Sequence, residues 1–368
     1  MWRELIATPE WKSLVQADNR TVDYRVEVVS RDGAHLGDIP IDGVRISFDG
    51  MATEQWSADF AFSDPALVPY RPTMWLDGRS GARLRVWWRI MSKPAPAEWL
   101  EIPVCTMVVE DPAGKDGGAL DATVSGLDPL AIARRGGYGA KTISVGGMTV
   151  TAALRAIFDA LVPGWPVSIA ESGVQLPAVY DLWEREPAED WTEIAGMAGM
   201  VVRTDRMGVI TAERPERGGV VADWREGPGC PVALVDWAQK TSTIPRRVVV
   251  VTTSPDVTPP IAGRWEHPDA DTMQIITETR IESTTVTTQE GADALARLTG
   301  ERWARRQLAV SVVIPQRPDL NYRDEVLLSR VQSQIHGTFE VSGWELTLAG
   351  RDAAPAPMTV KLMTRLEG

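Results

Sequence analysis

The sequence predicts a mainly β protein in which a smaller α+β domain separates two barrel-like β domains along the chain. Three observations support this prediction. Short runs of alternating apolar and polar residues fill the first 128 positions, helical periodicity then appears up to about 235, and β-rich runs flanking one helix fill the remainder. We therefore assign domains to residues 1–128, 129–235 and 236–368, a division that suits a chain of 368 residues.

The first domain is predicted to begin with a short helix and to continue as strands. Thr8 supplies a capping hydroxyl, Pro9 occupies the first helical position, and we expect the helix to stop by Asn19. Strands are predicted where apolar and polar residues alternate, at 22–28, 44–48, 56–62 and 84–88, and in the apolar run 100–109. Turns at 31–33 and 49–50 separate them, which is typical of an antiparallel sandwich or barrel.

The middle domain is predicted to hold two helices and a hairpin. The first helix is indicated by four apolar residues on one helical face, Leu154, Ile157, Phe158 and Leu161. Thr149 or Thr151 can cap it, and residues 163–164 end it. A second helix is expected from about residue 189, and residues 200–212 have the pattern of strand, turn and strand.

The last domain has the order of a small barrel with one helix laid across it. A β-rich run at 247–253 leads into a proline-rich crossing at 254–261, and a second β-rich stretch covers 273–288. A helix is predicted from about Thr288, its candidate cap, to Gln307, with arginines near its end as the helix dipole favours. A segment at 318–328 and a hairpin through Gly337, ending at 340–348, complete the domain.

Composition indicates an ordinary soluble globular protein, since 44% of residues are hydrophobic and 24% are charged. The formal charge of −12 argues against a protein that grips nucleic-acid phosphates, because such affinity comes largely from Lys and Arg. Two cysteines are too few for a disulfide framework or a cysteine zinc site. No secretory signal or membrane span is recognisable, so we expect synthesis and folding in a cytoplasm.

The search for chemistry predicts no catalytic, cofactor-binding or metal-ligating residue, and hence no enzyme. The nucleophile elbow, the phosphate loop and the dinucleotide fingerprint are all absent. The glycine-rich basic stretch 134–139 is predicted to be a flexible loop, and the cluster Glu266, His267, Asp269 and Asp271 a solvated loop. His35 and His336 are placed in turns. The densest acid group, at 181–193, is assigned to helix capping and solubility, although paired acids for glycoside cleavage stay open.

Tryptophan is unusually frequent, at fifteen residues against five tyrosines and five phenylalanines. Exposed tryptophans could stack on sugars, but Trp56, Trp88, Trp191 and Trp344 occupy positions expected to face a core. Trp87 lies next to Trp88, so on a strand the two face opposite sides. One of them must leave the core unless a neighbour covers it, which is a hint of oligomerisation.

Three stretches in order, 191–210, 247–261 and 318–328, carry a resemblance to a known family. The first is similar to the middle-domain helix and hairpin of many tail proteins, and the second to the entry into a second tube domain. The third resembles the segment that re-enters that barrel, where the usual Gly-Asp pair is replaced by Arg323 and Asp324. The chain thus resembles the hub proteins of phage tail tips and baseplates. High Arg, Trp and Ala usage suits a minor tail protein of a long-tailed actinobacteriophage.

The resemblance implies a mechanical role in the virion tail tip, with assembly in the host bacterial cytoplasm. Such hubs are homotrimers in which two tube-type barrels per subunit present a ring with six-fold-like symmetry. The implied partners are the tail tube or distal tail protein, tip, spike or fibre proteins, and the tape-measure protein. Phage DNA would pass only in transit, and we expect part of the negative charge to face the channel.

Two other functions stay open at this stage. A glycan-binding or glycan-hydrolysing tail protein would use tryptophans and two facing carboxylates. A hub or spike of a contractile injection or secretion system shares the architecture of the phage hub.

Overall fold

The fold comes from a computed structural model that describes residues 2–17, 20–30, 33–71, 73–91, 98–116, 120–138, 142–182, 186–216, 218–239, 244–253, 257–273, 277–349 and 355–365. The helices of these residues are α1 Trp2–Ala7, α2 Pro9–Gln16, α3 Pro129–Gly136, α4 Val150–Leu161, α5 Pro187–Met197 and α6 Gln289–Ala304. Strands are far more numerous. The mainly β character predicted from the sequence is confirmed.

The strands of the first 128 residues are β1 Val22–Val29, β2 His35–Ile39, β3 Gly43–Asp49, β4 Trp56–Phe62, β5 Arg83–Met91, β6 Trp99–Asp116 and β7 Leu120–Leu127. Those of the middle region are β8 Ile143–Ser144, β9 Val167–Ile169, β10 Asp181–Leu182, β11 Val201–Thr204, β12 Ile210–Glu213, β13 Val220–Arg225 and β14 Leu234–Gln239. The remaining strands are β15 Arg247–Thr252, β16 Ala262–Glu266, β17 Glu278–Ser283, β18 Leu308–Ile314, β19 Glu325–Arg330, β20 Ile335–Ala349 and β21 Met358–Thr364.

One long sheet runs through both ends of the chain. Its order is β14-β18-β21-β20-β3-β4-β7-β6-β5-β1-β2, and β19 with β13 branches from β20. The two halves join where β20 pairs antiparallel with β3, from Gly343 opposite Asp49 to Ala349 opposite Gly43. The path has two ends and forms no closed barrel within the described residues. Strands β18 to β21, predicted for a second closed barrel, therefore share one sheet with the strands of the first, because β3 and β20 satisfy each other's backbone edges. Strands β15 to β17, predicted for the same second barrel, lie outside it in a separate three-stranded sheet.

An aromatic cluster fastens this join. Phe48 of β3 lies directly opposite Trp344 of β20 on one side and opposite Trp56 of β4 on the other. The ring centroids of Phe48 and Trp56 lie 4.4 Å apart, and Trp344 lies 5.6 Å from each. Directly opposed aromatic residues stabilise neighbouring strands beyond the area they bury. The join is thus part of one continuous core rather than a contact between two finished surfaces.

The second body is α+β and has its own core. Helices α3, α4 and α5 enclose it with the sheet β11-β12-β9, and the predicted hairpin is confirmed as β11 and β12. Thr149 caps α4 and Thr288 caps α6, as the sequence indicates. Helix α6 packs against α5 and the small sheet β16-β15-β17. The segment boundaries near 128 and 235 stay predictions.

Two glycines allow α6 to lie close to its sheet. A Cβ on Gly263 of β16 would stand 2.1 Å from the backbone carbonyl carbon of Ala292, and one on Gly300 would stand 2.1 Å from the Trp265 ring. Neither position can carry a side chain without moving the helix or the ring. The helix–sheet distance is therefore set by the absence of side chains at these two points.

Asp128 ties the long sheet to the α+β body. Its buried carboxylate accepts hydrogen bonds from the backbone N–H groups of Gln55, Trp56 and Leu130 and from the hydroxyl of Thr204. These donors belong to the start of β4, the first turn of α3 and the end of β11. One side chain thus fixes three elements that are distant in sequence.

The first helix is confirmed as α2, with the Thr8 hydroxyl accepting from the Trp11 N–H; Asn19 lies outside the described residues. The predicted turn at 31–33 and the proline-rich crossing at 254–261 also lie partly outside them, at 31–32 and 254–256. Among the described helices, none combines the length and the apolar character needed to span a bilayer.

Candidate functional site

The acid group at 181–193 serves the interior of the α+β body. Asp190 is fully buried and accepts a 2.9 Å hydrogen bond from the Tyr138 hydroxyl. Glu193 accepts from the hydroxyls of Ser283 and Thr285, at 2.6 Å each. These carboxylates join α5 to its neighbours and do not face each other across a cleft. Glu184 lies outside the described residues.

The prediction of a flexible loop at 134–139 is wrong for residues 134–136, which form the last turn of α3. The two arginines of this turn are held by carboxylates. Arg134 forms ion pairs with Glu54 and Glu186, and Arg135 forms one with Glu110. Both guanidinium groups are therefore already neutralised, which disfavours a phosphate cradle. Position 139 lies outside the described residues.

A cluster of His35, Glu27 and Asp38 places three possible metal ligands within 4.8 Å of one another. The sequence does not indicate it, because β1 and β2 bring these residues together only by pairing. Glu27 is ion-paired with Arg85 at 2.7 Å and with Arg25 at 3.0 Å, and Arg25 also reaches Asp38 at 3.2 Å. A cation there would have to displace two guanidinium groups, so the cluster fits a surface ion network better than a metal centre.

The prediction of a solvated loop around His267 is wrong for His267 itself, which is 3% exposed. Its Nδ1 accepts a hydrogen bond from the Asp269 N–H at 3.0 Å, and burial lowers its pKa. The neighbouring Glu266 pairs with Arg247 across the strands. The ring of Trp265 packs edge-on against the imidazole, and this aromatic cover explains the burial.

The core assignment of Trp56, Trp88, Trp191 and Trp344 is confirmed, since each is 6% exposed or less. Trp87 does face the opposite side of the sheet from Trp88, but it is half-buried. The guanidinium of Arg25, directly opposite on β1, covers the ring at 4.9 Å. The neighbour that covers this tryptophan therefore belongs to the same chain, and Trp87 by itself no longer indicates a subunit contact.

Arg323 lies at a position whose backbone favours glycine, the residue that the resembling segment usually has there. Arg323 has φ = 68°, in the left-handed region. Its guanidinium nevertheless pairs with Glu340 at 3.2 Å and donates to the Pro215 carbonyl at 2.8 Å. Glu340 is fully buried and also pairs with Arg305 at 3.3 Å. An ion pair thus compensates here for a strained backbone.

Some of the exposed apolar side chains lie at free edges of the long sheet. On β14, Leu234 and Trp237 are 52% and 56% exposed, and no described strand covers its outer edge. At the other end of the path β2 is equally uncovered, with Leu36 on it and Trp75 beside it exposed. The branch ends in β13, which has a third free edge and an exposed Val220. Open strand edges flanked by apolar side chains are liabilities in a monomer and are typical of assembly surfaces. The edges of β14 and β2, at the two ends of the path, are the candidate functional site.

Comparison with solved structures places this fold among tail proteins. A tail protein from Neisseria meningitidis MC58 matches with a TM-score of 0.64 and 16% identity, over 93% of this chain and 97% of that chain. The 43 kDa tail protein of prophage MuSo2 from Shewanella oneidensis matches at 0.63 and 12%, over 93% and 98%. An E. coli component of the type VI secretion system, described as similar to the T4 tail proteins gp27 and gp5, matches at 0.52 and 11%, over 95% and 75%.

No protein-family model and no curated protein matches the sequence. At these identities the likeness establishes a shared fold. The chain therefore has the tail-protein fold over nearly its whole length.

Proposed function

We propose that this protein is a structural hub of a phage tail tip or baseplate. In this proposal three copies form a ring with six-fold-like symmetry that joins the hexameric tail tube to the three-fold tip. Its partners are the tail tube or distal tail protein, the tip, spike or fibre proteins and the tape-measure protein, and DNA passes through the lumen in transit. The protein acts by assembly, without a catalytic step, in the tail tip of the virion.

The observation that supports the proposal is the path of the long sheet, which has an uncovered strand at each end, β14 and β2. A head-to-tail contact between unlike surfaces forms a closed ring when the rotation between copies closes. β14 of one copy and β2 of the next are unlike surfaces on one sheet, and each presents free backbone groups to a new strand. Each copy then contributes two halves of its sheet, one on either side of the β3–β20 join. The two kinds of half alternate around the ring.

The solved tail proteins support the same proposal by fold. Two of them match over at least 97% of their own length, so the likeness covers whole chains rather than a shared motif. The acidic lumen is part of the proposal, because a lining that repels phosphates lets DNA slide. A reconstruction of the ring that shows a basic lumen would contradict the acidic lining but not the ring itself.

The test is the mass of the protein in solution. The chain weighs 40.3 kDa, so the wild type should give a particle of three times that mass by light scattering, with three-fold rings in electron micrographs. Trp237→Lys places a charge beside the open edge of β14 and should give monomers. Val179→Lys is the matched control, since Val179 is 78% exposed on a loop of the α+β body. It should leave the trimer intact.

The outcomes separate two parts of the proposal. A wild type that stays monomeric at tens of micromolar and forms no ring contradicts the trimer. A Trp237→Lys variant that still forms trimers places the contact elsewhere than β14.

A hub of a contractile injection or secretion system is the second candidate, favoured by the match to the E. coli secretion component. It makes the same assembly predictions. The two candidates differ in what surrounds the ring, so co-purification from virions or from secretion complexes distinguishes them. The glycan-cleaving alternative loses support, because the acids of the group at 181–193 that the structure describes serve packing and surface roles.

A further inference from the structure

A small cavity of about 80 Å³ lies where five parts of the chain meet. Its walls come from the loop after β3, from α5, from β11, from the C-terminal part of α6 and from the turn before β19. The side chains that matter for its chemistry are Arg203, Arg302, Arg305, Arg323, Tyr322 and Glu301. Four guanidinium groups therefore line one space, and Glu301 is the single acid among the described lining residues.

Two of the four arginines form ion pairs with carboxylates, although the Nε of Arg305 has no hydrogen-bond partner among the described residues. Arg305 donates to Glu301 at 3.0 Å and lies 3.3 Å from Glu340, which stands behind the cavity wall. Arg323 shares Glu340 and donates to the Pro215 carbonyl. Two carboxylates thus balance these two cations, and the positive charge of the other two arginines is left over.

Arg203 and Arg302 have no such balance. In the part of the chain that the structure describes, no carboxylate lies within ion-pair distance of either side chain. The Arg203 guanidinium lies over the Tyr322 ring at 4.0 Å, and its Nε is buried without a hydrogen-bond partner. Arg302 donates to the Met51 carbonyl.

The two unbalanced cations also act on each other. Burial lowers the pKa of Arg203, and the charges of Arg323 and Arg302 lower it further, against the opposite effect of Tyr322 and Glu213. An anion placed between the guanidinium groups would remove this repulsion and supply the missing acceptor.

We propose that this cavity binds a small tetrahedral oxyanion of the phosphate class, held between the guanidinium groups of Arg203 and Arg302. The volume equals the liquid share of two to three waters, at about 30 Å³ each, which suits such an ion. It is far below the range of about 300–1,000 Å³ typical of cofactor and nucleotide pockets. Forked guanidinium donors match the oxygens of phosphate and sulfate.

The bound ion would act as a clamp. Arg203 belongs to β11 of the α+β body, Arg302 to α6, and Met51 to the loop of the first sheet strands. Bridging the two arginines therefore fixes α6 against β11, and the hydrogen bond from Arg302 to Met51 connects this pair to the long sheet. This inference does not depend on the proposed hub function, because the site lies within one chain.

The test measures phosphate binding to the full-length protein. Equilibrium dialysis against about 1 mM radiolabelled phosphate, in Tris buffer at constant ionic strength, should show one ion per chain. Arg203→Met keeps the contact with Tyr322 and should weaken binding at least tenfold. Arg302→Gln tests the second ligand, a residue exposed to solvent on α6. Arg297→Gln is the matched control, since it removes a charge from the same helix where the side chain is 71% exposed.

Each outcome decides the proposal. Sulfate should compete with phosphate and acetate should not; equal competition by acetate would show that the ion class is wrong. Phosphate should also raise the melting temperature of the wild type and of Arg297→Gln more than that of Arg203→Met, beyond the general salting effect. Absence of bound phosphate in the wild type, or equal binding by Arg203→Met and Arg302→Gln, overturns the proposal. If Arg203→Met fails to fold, Arg203→Lys replaces it and should bind several-fold more weakly.

Discussion

Arg323 combines a strained backbone with a buried ion pair, and substitution can separate the two contributions. A non-glycine residue in the left-handed region costs about 1–2 kcal/mol. Breaking a buried pair costs about 3–5 kcal/mol, and we take the lower end because Arg305 stays beside Glu340. Arg323→Ala keeps the strain and should lower the free energy of unfolding by about 3 kcal/mol. Arg323→Gly relieves the strain but adds freedom to the unfolded chain, so it should lower the free energy of unfolding by only about 2–2.5 kcal/mol.

The assay is urea-induced unfolding followed by tryptophan fluorescence, with the three proteins compared at one pH. Gln334 provides the control, because it has φ = 55° and an exposed side chain with no ion pair among the described residues. Gln334→Gly should raise the free energy of unfolding by about 0.5–1 kcal/mol, which is strain relief reduced by the added freedom of the unfolded chain.

Two results would refute this reasoning. If Arg323→Gly is as stable as the wild type or more stable, the stabilisation from the ion pair with Glu340 does not exceed the cost of the strained backbone. If Arg323→Ala and Arg323→Gly are equally stable while Gln334→Gly gains, the backbone at 323 is not strained.

Three further predictions concern stability. Burial raises the pKa of Asp324 from 3.8 to about 6, so stability from this group falls as pH rises through that window. The free energy of unfolding of Asp324→Asn, relative to that of the wild type, should therefore rise by up to about 3 kcal/mol between pH 4 and pH 7. A difference in urea midpoints that does not change with pH would contradict this. Gly263→Ala should cost about 2–3 kcal/mol by forcing α6 outward, whereas Gly219→Ala, with open space around its Cβ, should lower the melting temperature little. Asp128→Ala strands four buried donors and should cost at least about 3 kcal/mol, and Asp128→Asn, which keeps one acceptor oxygen, should recover part of the loss in thermal unfolding.

Local signals in the sequence predict local structure well. The caps Thr8, Thr149 and Thr288 begin helices where they are expected, because a capping hydroxyl needs only residues within one turn. The alternation in β3 and β4 likewise reports which side chains face a core. Each of these predictions depends on a few neighbouring positions.

What the sequence does not predict depends on partners that are distant in the chain. No pattern within β3 or β20 predicts that the two strands pair. Alternation of apolar and polar residues indicates which face of a strand is buried, but not which strand lies beside it. Arg25 covers Trp87 only once β1 and β5 have paired. The sequence does not show the free edges of the sheet for the same reason.

The arginine cavity is the extreme case of this limit. Arg203 and Arg302 are almost a hundred positions apart and belong to unremarkable surface patterns of a strand and a helix. Only the position of Tyr322 between β11 and the last turn of α6 makes the two charges neighbours. No spacing rule could indicate it.

The pairing of β3 with β20 has a consequence for how a newly made chain matures. The two partners are separated by about 300 residues, and such distant contacts form late because long loops must close first. During translation β3 is therefore made long before its partner leaves the ribosome, with an apolar strand edge open to other nascent chains. A polypeptide released early would lack that partner altogether, so premature termination should yield insoluble fragments instead of shortened, functional proteins.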